Sequence, residues 1–147
     1  MPPEVQIVIA SDGDIVTARA KARALADRLG FRRIDATEIA TAISEVTRNI
    51  IVHAGNGEVV LRPAEDDHRR GVVVIARDSG GGIADVDAAM REGYGTKDGL
   101  GLGLPGARRL MDDFDIETAP GEGTTVIMKK WRERDELERL TSANGTR

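Results

Sequence analysis

Two apolar periods alternate along this chain, and their order lays out its elements. Val5 to Ala10 is a short β-branched run that predicts a strand. Ser11, Asp12, Gly13 and Asp14 offer turn and cap chemistry. Ile15, Ala18, Ala22, Leu25, Ala26 and Leu29 then recur at helical spacing, with Gly30 as a stop. A second helix shows Ile39, Ala42, Ile43, Val46 and Ile50 as its buried stripe and ends near Gly55-Asn56-Gly57. Asp35 is its expected cap, Glu38 completes a capping-box pair, and Ile34 and Ile39 sit where a hydrophobic staple would sit.

Glu58 to Arg62 predicts a strand ended by Pro63, and the charged stretch Glu65 to Arg70 a solvated hairpin loop. Val72 to Ala76 is almost continuously apolar, as in a central strand. A short helical segment is expected around Asp85 to Arg91. Pro105 opens a third long helix to about Asp113. Phe114–Thr118 and Thr124–Trp131 read as two final strands. Residues 1–131 form one domain in this reading, and 132–147 a charged extension, a frayed helix or a disordered tail. Because strands arrive in pairs, the pattern argues for an α+β two-layer sandwich. Its sheet is mixed and mostly antiparallel, with helices on one face.

Composition narrows the chemistry. The length of 147 residues suits one domain with a real core, and the lack of cysteine excludes disulfides and thiolate chemistry. The apolar run near the N-terminus is too short for a leader or a membrane span, so a cytoplasmic protein without membrane contact is expected. A net charge of −4 and few aromatics argue against nucleic acid as a partner. His53 and His68 are isolated and make no metal site. Of 17 glycines, nine lie between Gly80 and Gly106, so the backbone has a special task there.

Four motifs carry candidate chemistry. Glu45 and Asn49 are four apart on the second helix and flank its core stripe. A carboxylate and an amide at a cleft rim can activate a hydroxyl and hold a hard cation such as Mg²⁺. Taken alone, two polar residues on a solvated helix is the plainer reading. Asp78-Ser79-Gly80-Gly81-Gly82 follows a buried strand. An ionised carboxylate there only accepts hydrogen bonds, which suits the exocyclic amine of adenine; an ordinary Asp-Gly turn is the alternative. Gly99, Gly101 and Gly103 alternate with leucines directly before a helix, which favours phosphate binding by backbone N–H groups. The formal match Gly101, Gly103, Gly106 to a dinucleotide fingerprint lacks its preceding strand, and no Gly-Lys pair exists for a Walker loop. Gly121-Glu122-Gly123-Thr124-Thr125 leads into the last strand and alone would be a hairpin turn.

In this order the four motifs resemble the boxes of the GHKL ATPase/kinase superfamily, over about residues 38 to 131. Within it, Thr41–Glu45, Gly99–Gly106, Arg109–Ile116 and Gly121–Thr125 are similar to the RsbT type, the serine/threonine switch kinases of bacterial stressosomes. The resemblance implies a Bergerat ATP-binding fold, with ATP and Mg²⁺ as cofactors. It implies Glu45 as general base, Asn49 as Mg²⁺ ligand, Asp78 on adenine and Gly80 and Gly82 shaping the pocket. Gly99, Gly101 and Gly103 would meet the phosphates, Thr124 would lie near the adenine end, and residues 84–98 would form a short ATP lid. The implied partners are STAS-domain scaffold and antagonist proteins and a PP2C-type phosphatase. The alternative is an anti-sigma factor kinase of the SpoIIAB/RsbW kind that sequesters a sigma factor.

Overall fold

A computed structural model describes residues 1–82, 90 and 103–143. Apart from Met90, the expected short helix at 85–91 and the lid at 84–98 lie outside the described residues, as do Gly99 and Gly101. Strand β1 is Val5–Ile9, helix α1 Asp12–Arg28, helix α2 Arg33–Ala54, strand β2 Gly57–Glu65 and strand β3 Arg69–Asp78. After the undescribed stretch come helix α3 Gly103–Leu110, strand β4 Asp113–Thr118, strand β5 Thr124–Glu133 and helix α4 Glu136–Ala143.

The five strands form one sheet in the order β1-β2-β3-β5-β4, and every pairing among them is antiparallel. Alternate residues on these strands face the helices. Ile7, Ile9, Val59, Leu61, Val72, Val74, Ala76, Val126 and Met128 all join one buried cluster with residues of the helices. The predicted stripes of α1 and α2 are the ones that fill it: Ala18, Ala22, Ala26, Ile39, Ala42 and Ile43 are fully buried. Small alanines along α1 let it lie close to α2. The result is a two-layer sandwich, as the paired strands predict.

Element boundaries differ from the sequence expectations for local reasons. Helix α2 starts at Arg33, with Arg32 as the residue before it, so Asp35 lies inside the first turn. Its carboxylate accepts from Arg32 Nε at 3.0 Å instead of capping. Ile34 is exposed, which rules out the staple with buried Ile39, and Glu38 pairs with Lys130 across the fold. Strand β2 runs through Pro63. The last β1 partner of β2 is Val5 opposite Leu61, so Pro63 sits where β2 is a sheet edge on that side, a position that tolerates proline. Helix α3 begins two residues before Pro105 and ends at Leu110, which still leaves the proline in the first turn.

The chain beyond β5 is tied down by arginines. Glu138 accepts from Arg132 Nη1 and Nη2 at 2.9 and 2.5 Å, and pairs with Arg70 at 2.8 Å. Arg132 Nε also donates to the Leu29 carbonyl at the end of α1, and Arg134, 3% exposed, donates to the carbonyls of Asp66 and Glu138. The Arg132 guanidinium is the main reason the Glu138 carboxyl is held down at about 2. Because this value lies below the ordinary one, the contribution of Glu138 to stability is full above about pH 4.5 and disappears as pH falls toward 2. Glu138→Gln is therefore expected to lower the urea midpoint at pH 7. The gap from the parent should narrow steadily when the titration is repeated at pH 4 and pH 3.

Candidate active site

Helix α2 carries the first candidate pair. Glu45 and Asn49 occupy the edge of its buried stripe, as the spacing predicts: Glu45 is buried at 8% exposure and Asn49 is half-buried. Removing a carboxylate from water is costly unless partners replace the water. Here they do. Glu45 Oε1 accepts the backbone N–H of Gly103 at 2.9 Å, and Oε2 lies 3.5 Å from Arg48 Nη1. Gly103 is the first residue of α3, where backbone N–H groups have no partner within the helix. The first residue of α3 thus sets a helix N-terminus directly against the Glu45 carboxylate. Glu45, Arg48, Asn49, Val52, His53, Gly103 and Leu104 line one cleft. Its free volume is about 20 Å³, room for a water molecule and not for a phosphate chain.

The second candidate group lies at the end of β3. Asp78 is the last residue of that strand and pairs in register with Gly57 on one side and Thr124 on the other. Its Oδ1 accepts the N–H of Gly80 at 2.9 Å, which turns the chain sharply out of the sheet. Gly80 presses against Ala54, the last residue of α2, so closely that a Cβ would collide with it. Gly82 has φ +75° and packs on the Ala119 carbonyl, which only glycine permits. The turn is sewn to the β4–β5 hairpin by a 2.7 Å bond from the Gly121 N–H to the Gly81 carbonyl. Thr124 is 5% exposed, and its hydroxyl shares a 2.9 Å hydrogen bond with that of Thr118. The second and fourth motifs therefore meet as one unit at the end of the sheet.

Asp78 does not line the Glu45 cleft among the described residues. It borders a depression of about 380 Å³ on the open face of the sheet, lined by the cross-strand row Val8, Glu58, Arg77 and Thr125, which points away from the helices. What joins the two regions is α2, which runs from Glu45 to Ala54 beside Gly80. At 1.5 Å per residue that is about 13 Å along the helix axis. Three features escaped the sequence reading: the Gly103–Glu45 bond, the Arg48 pair and Thr118 as partner of Thr124. Arg48 had a legible signal, because an arginine three residues after a glutamate on a helix shares its edge. The other two depend on long-range packing. Among the described residues no cluster of three or more His, Cys, Asp or Glu could hold a metal ion, and no helix is long and apolar enough to cross a membrane.

Residues 8–130 match the family model of a histidine kinase-like ATPase domain. The chain is 44% identical to the serine/threonine-protein kinase RsbT of Bacillus subtilis (strain 168) over 123 residues, which covers 84% of this chain and 92% of that protein. It is 32% identical to an anti-sigma F factor of Clostridium kluyveri over 117 residues, covering 77% of this chain and 82% of the relative. A solved structure of the RsbU and RsbW domains of a Mycobacterium tuberculosis protein superposes with a TM-score of 0.65 at 23% identity. It covers 91% of this chain and 34% of the longer one, and it shows the fold alone.

Gly82→Ala is expected to lower stability by about 1–3 kcal/mol in urea unfolding, since the new Cβ is strained at this φ and meets a carbonyl. Gly81→Ala, with nothing among the described residues within 4 Å of its added Cβ, should leave the midpoint nearly unchanged.

Proposed function

The chain belongs to the histidine kinase-like ATPase domain family, beside the serine/threonine-protein kinase RsbT, and on that premise we propose that it is a cytoplasmic Mg-ATP-dependent serine/threonine protein kinase of a stress-signalling partner switch. Its acceptors are STAS-domain scaffold and antagonist proteins, and its release from them frees it to activate a PP2C-type phosphatase. The observation that carries the reading is the buried Glu45 carboxylate set against the N-terminus of α3, one helical turn from Asn49.

In the proposed complex the adenine amine donates to Asp78, on the floor shaped by Gly80 and Gly82, with Thr124 beside it. The nucleotide then follows α2 toward Glu45. Its phosphates meet the glycine run of Gly99, Gly101 and Gly103, where backbone N–H groups and the α3 terminus favour negative charge. Since the cleft at Glu45 is narrow, the phosphates compete with Glu45 for the Gly103 N–H and widen the gap between α2 and α3. Asn49 is half-buried on the cleft wall, and one amide oxygen fits a cation that takes most of its ligands from phosphate and water. Mg²⁺ bound there would neutralise charge on the phosphates.

The transfer itself is a displacement at the γ-phosphorus. The acceptor hydroxyl oxygen forms a bond to phosphorus, the bond from phosphorus to the bridging oxygen of ADP breaks, and the hydroxyl proton passes to Glu45. Orientation and charge neutralisation supply most of the rate. The anti-sigma F factor relatives support a second reading, in which the same nucleotide site serves a domain that sequesters a sigma factor.

Incubation with labelled ATP, Mg²⁺ and a STAS-domain protein should yield acid-stable phosphate on one serine or threonine. Capture of a sigma factor without transfer to any STAS protein would favour the second reading. Glu45→Ala should keep nucleotide affinity within about threefold while lowering transfer by roughly 100-fold or more. Asp78→Asn should abolish ATP binding in calorimetry, because the amide turns a donor toward the adenine amine; unchanged affinity would remove Asp78 from the adenine site.

A further inference from the structure

Arg48 sits one turn beyond Glu45 on the same edge of α2, and its role is not exhausted by helix stability. Surface pairs at this spacing contribute little to folding. This pair is unequal: the Arg48 side chain is 45% exposed, while that of Glu45 is 9% exposed. The guanidinium therefore stands at the mouth of the cleft, and the carboxylate it pairs with lies at the wall. Arg48 takes Oε2, and Gly103 takes Oε1.

These two partners respond differently to a nucleotide. The Gly103 N–H belongs to a helix N-terminus and is drawn to phosphate. The Arg48 guanidinium is planar, permanently charged and carried by the same helix as Glu45, so it keeps its place when α3 shifts. Loss of the Gly103 bond frees Oε1 to receive a proton. Retention of the Arg48 pair keeps Oε2 anchored and fixes the direction in which Oε1 points.

We propose that Arg48 is a positioning residue of the transfer step, holding Glu45 through Oε2 so that Oε1 faces the acceptor hydroxyl once the phosphates have taken the Gly103 N–H. The inference rests on Glu45 acting as the base. Arg48 itself touches neither the nucleotide nor the reacting atoms. Its loss should therefore appear in kcat and not in nucleotide affinity. A phosphate-binding arginine would behave in the opposite way.

The test compares the parent protein with Arg48→Ala, Arg48→Lys and Glu45→Ala, using Mg-ATP and the STAS-domain acceptor. Calorimetry with a non-hydrolysable ATP analogue is run on each. Arg48→Ala is expected to lower kcat roughly 10- to 100-fold, with analogue affinity and the KM for ATP within about twofold of the parent. Arg48→Lys should recover part of the loss, because it keeps the charge without the planar fork. An Arg48→Ala enzyme with parental kcat overturns the proposal. So does a loss of analogue affinity that matches the loss of rate, which would make Arg48 a phosphate ligand, and so does a lysine variant that recovers nothing. If Glu45→Ala retains transfer, or the parent transfers nothing to the acceptor, the base assignment fails and takes the inference with it. An inactive Glu45→Ala beside a fully active Arg48→Ala overturns the inference alone.

Discussion

A carboxylate removed from water needs replacement donors, and the rest of the proposed machinery depends on how Glu45 finds them. One is the Gly103 N–H at the first turn of α3, the other the Arg48 guanidinium. The first bond joins two elements far apart in sequence and sets a helix terminus against a helix edge. A free helix N-terminus attracts any anion. In this chain it meets a glutamate. On the proposed reading, this joint would become a place where nucleotide phosphate and base contend for one donor.

The other half of the site depends on register. Asp78 is placed by the β2–β3 and β3–β5 ladders, which set Gly57 and Thr124 opposite it. The glycines after it then let three backbones crowd together: the turn at Gly80 against the end of α2, and Gly82 against the β4–β5 hairpin. Larger residues would push these segments apart and loosen the pocket floor. Helix α2 belongs to both halves, since its middle carries Glu45 and Asn49 and its last residue buttresses Gly80. In the proposed complex this span would set the two regions, which share no cavity among the described residues, along a single ligand.

Much of this was legible in the amino-acid sequence, and the failures have identifiable causes. The stripes of α1 and α2 recur at helical spacing, and they pack as that spacing predicts. The strand pairs announced a layered, mixed but mostly antiparallel sheet, and the pairings among the five strands are all antiparallel. The start of α2 was misjudged because Asp35 and Glu38 look like a capping box, whereas Asp35 pairs with Arg32 and Glu38 with Lys130. Local chemistry there was overridden by partners that sequence proximity does not rank. Pro63 seemed to end β2 because its tolerance at a sheet edge depends on where β1 stops. Charge density after Trp131 suggested a frayed helix or a disordered tail, and a helix is present at Glu136–Ala143. The ties that hold it, Arg134 to backbone carbonyls and Glu138 to Arg70 and Arg132, depend on distant partners that the sequence does not show. At the site, the residue types and their spacings were readable from the four motifs. The pairing of Thr118 with Thr124 and of Gly103 with Glu45 was not, since both arise only when distant elements dock.

The central claim is that the Asp78 turn and the Glu45 edge hold opposite ends of one adenine nucleotide. A crystal structure with Mg²⁺ and a non-hydrolysable ATP analogue tests it most directly. The account predicts the adenine amine within hydrogen-bonding distance of Asp78, the γ-phosphate beside Glu45, and the Gly103 N–H turned from the carboxylate to phosphate. An analogue bound elsewhere, or one that leaves the Gly103–Glu45 bond intact with its phosphates away from α3, would contradict it.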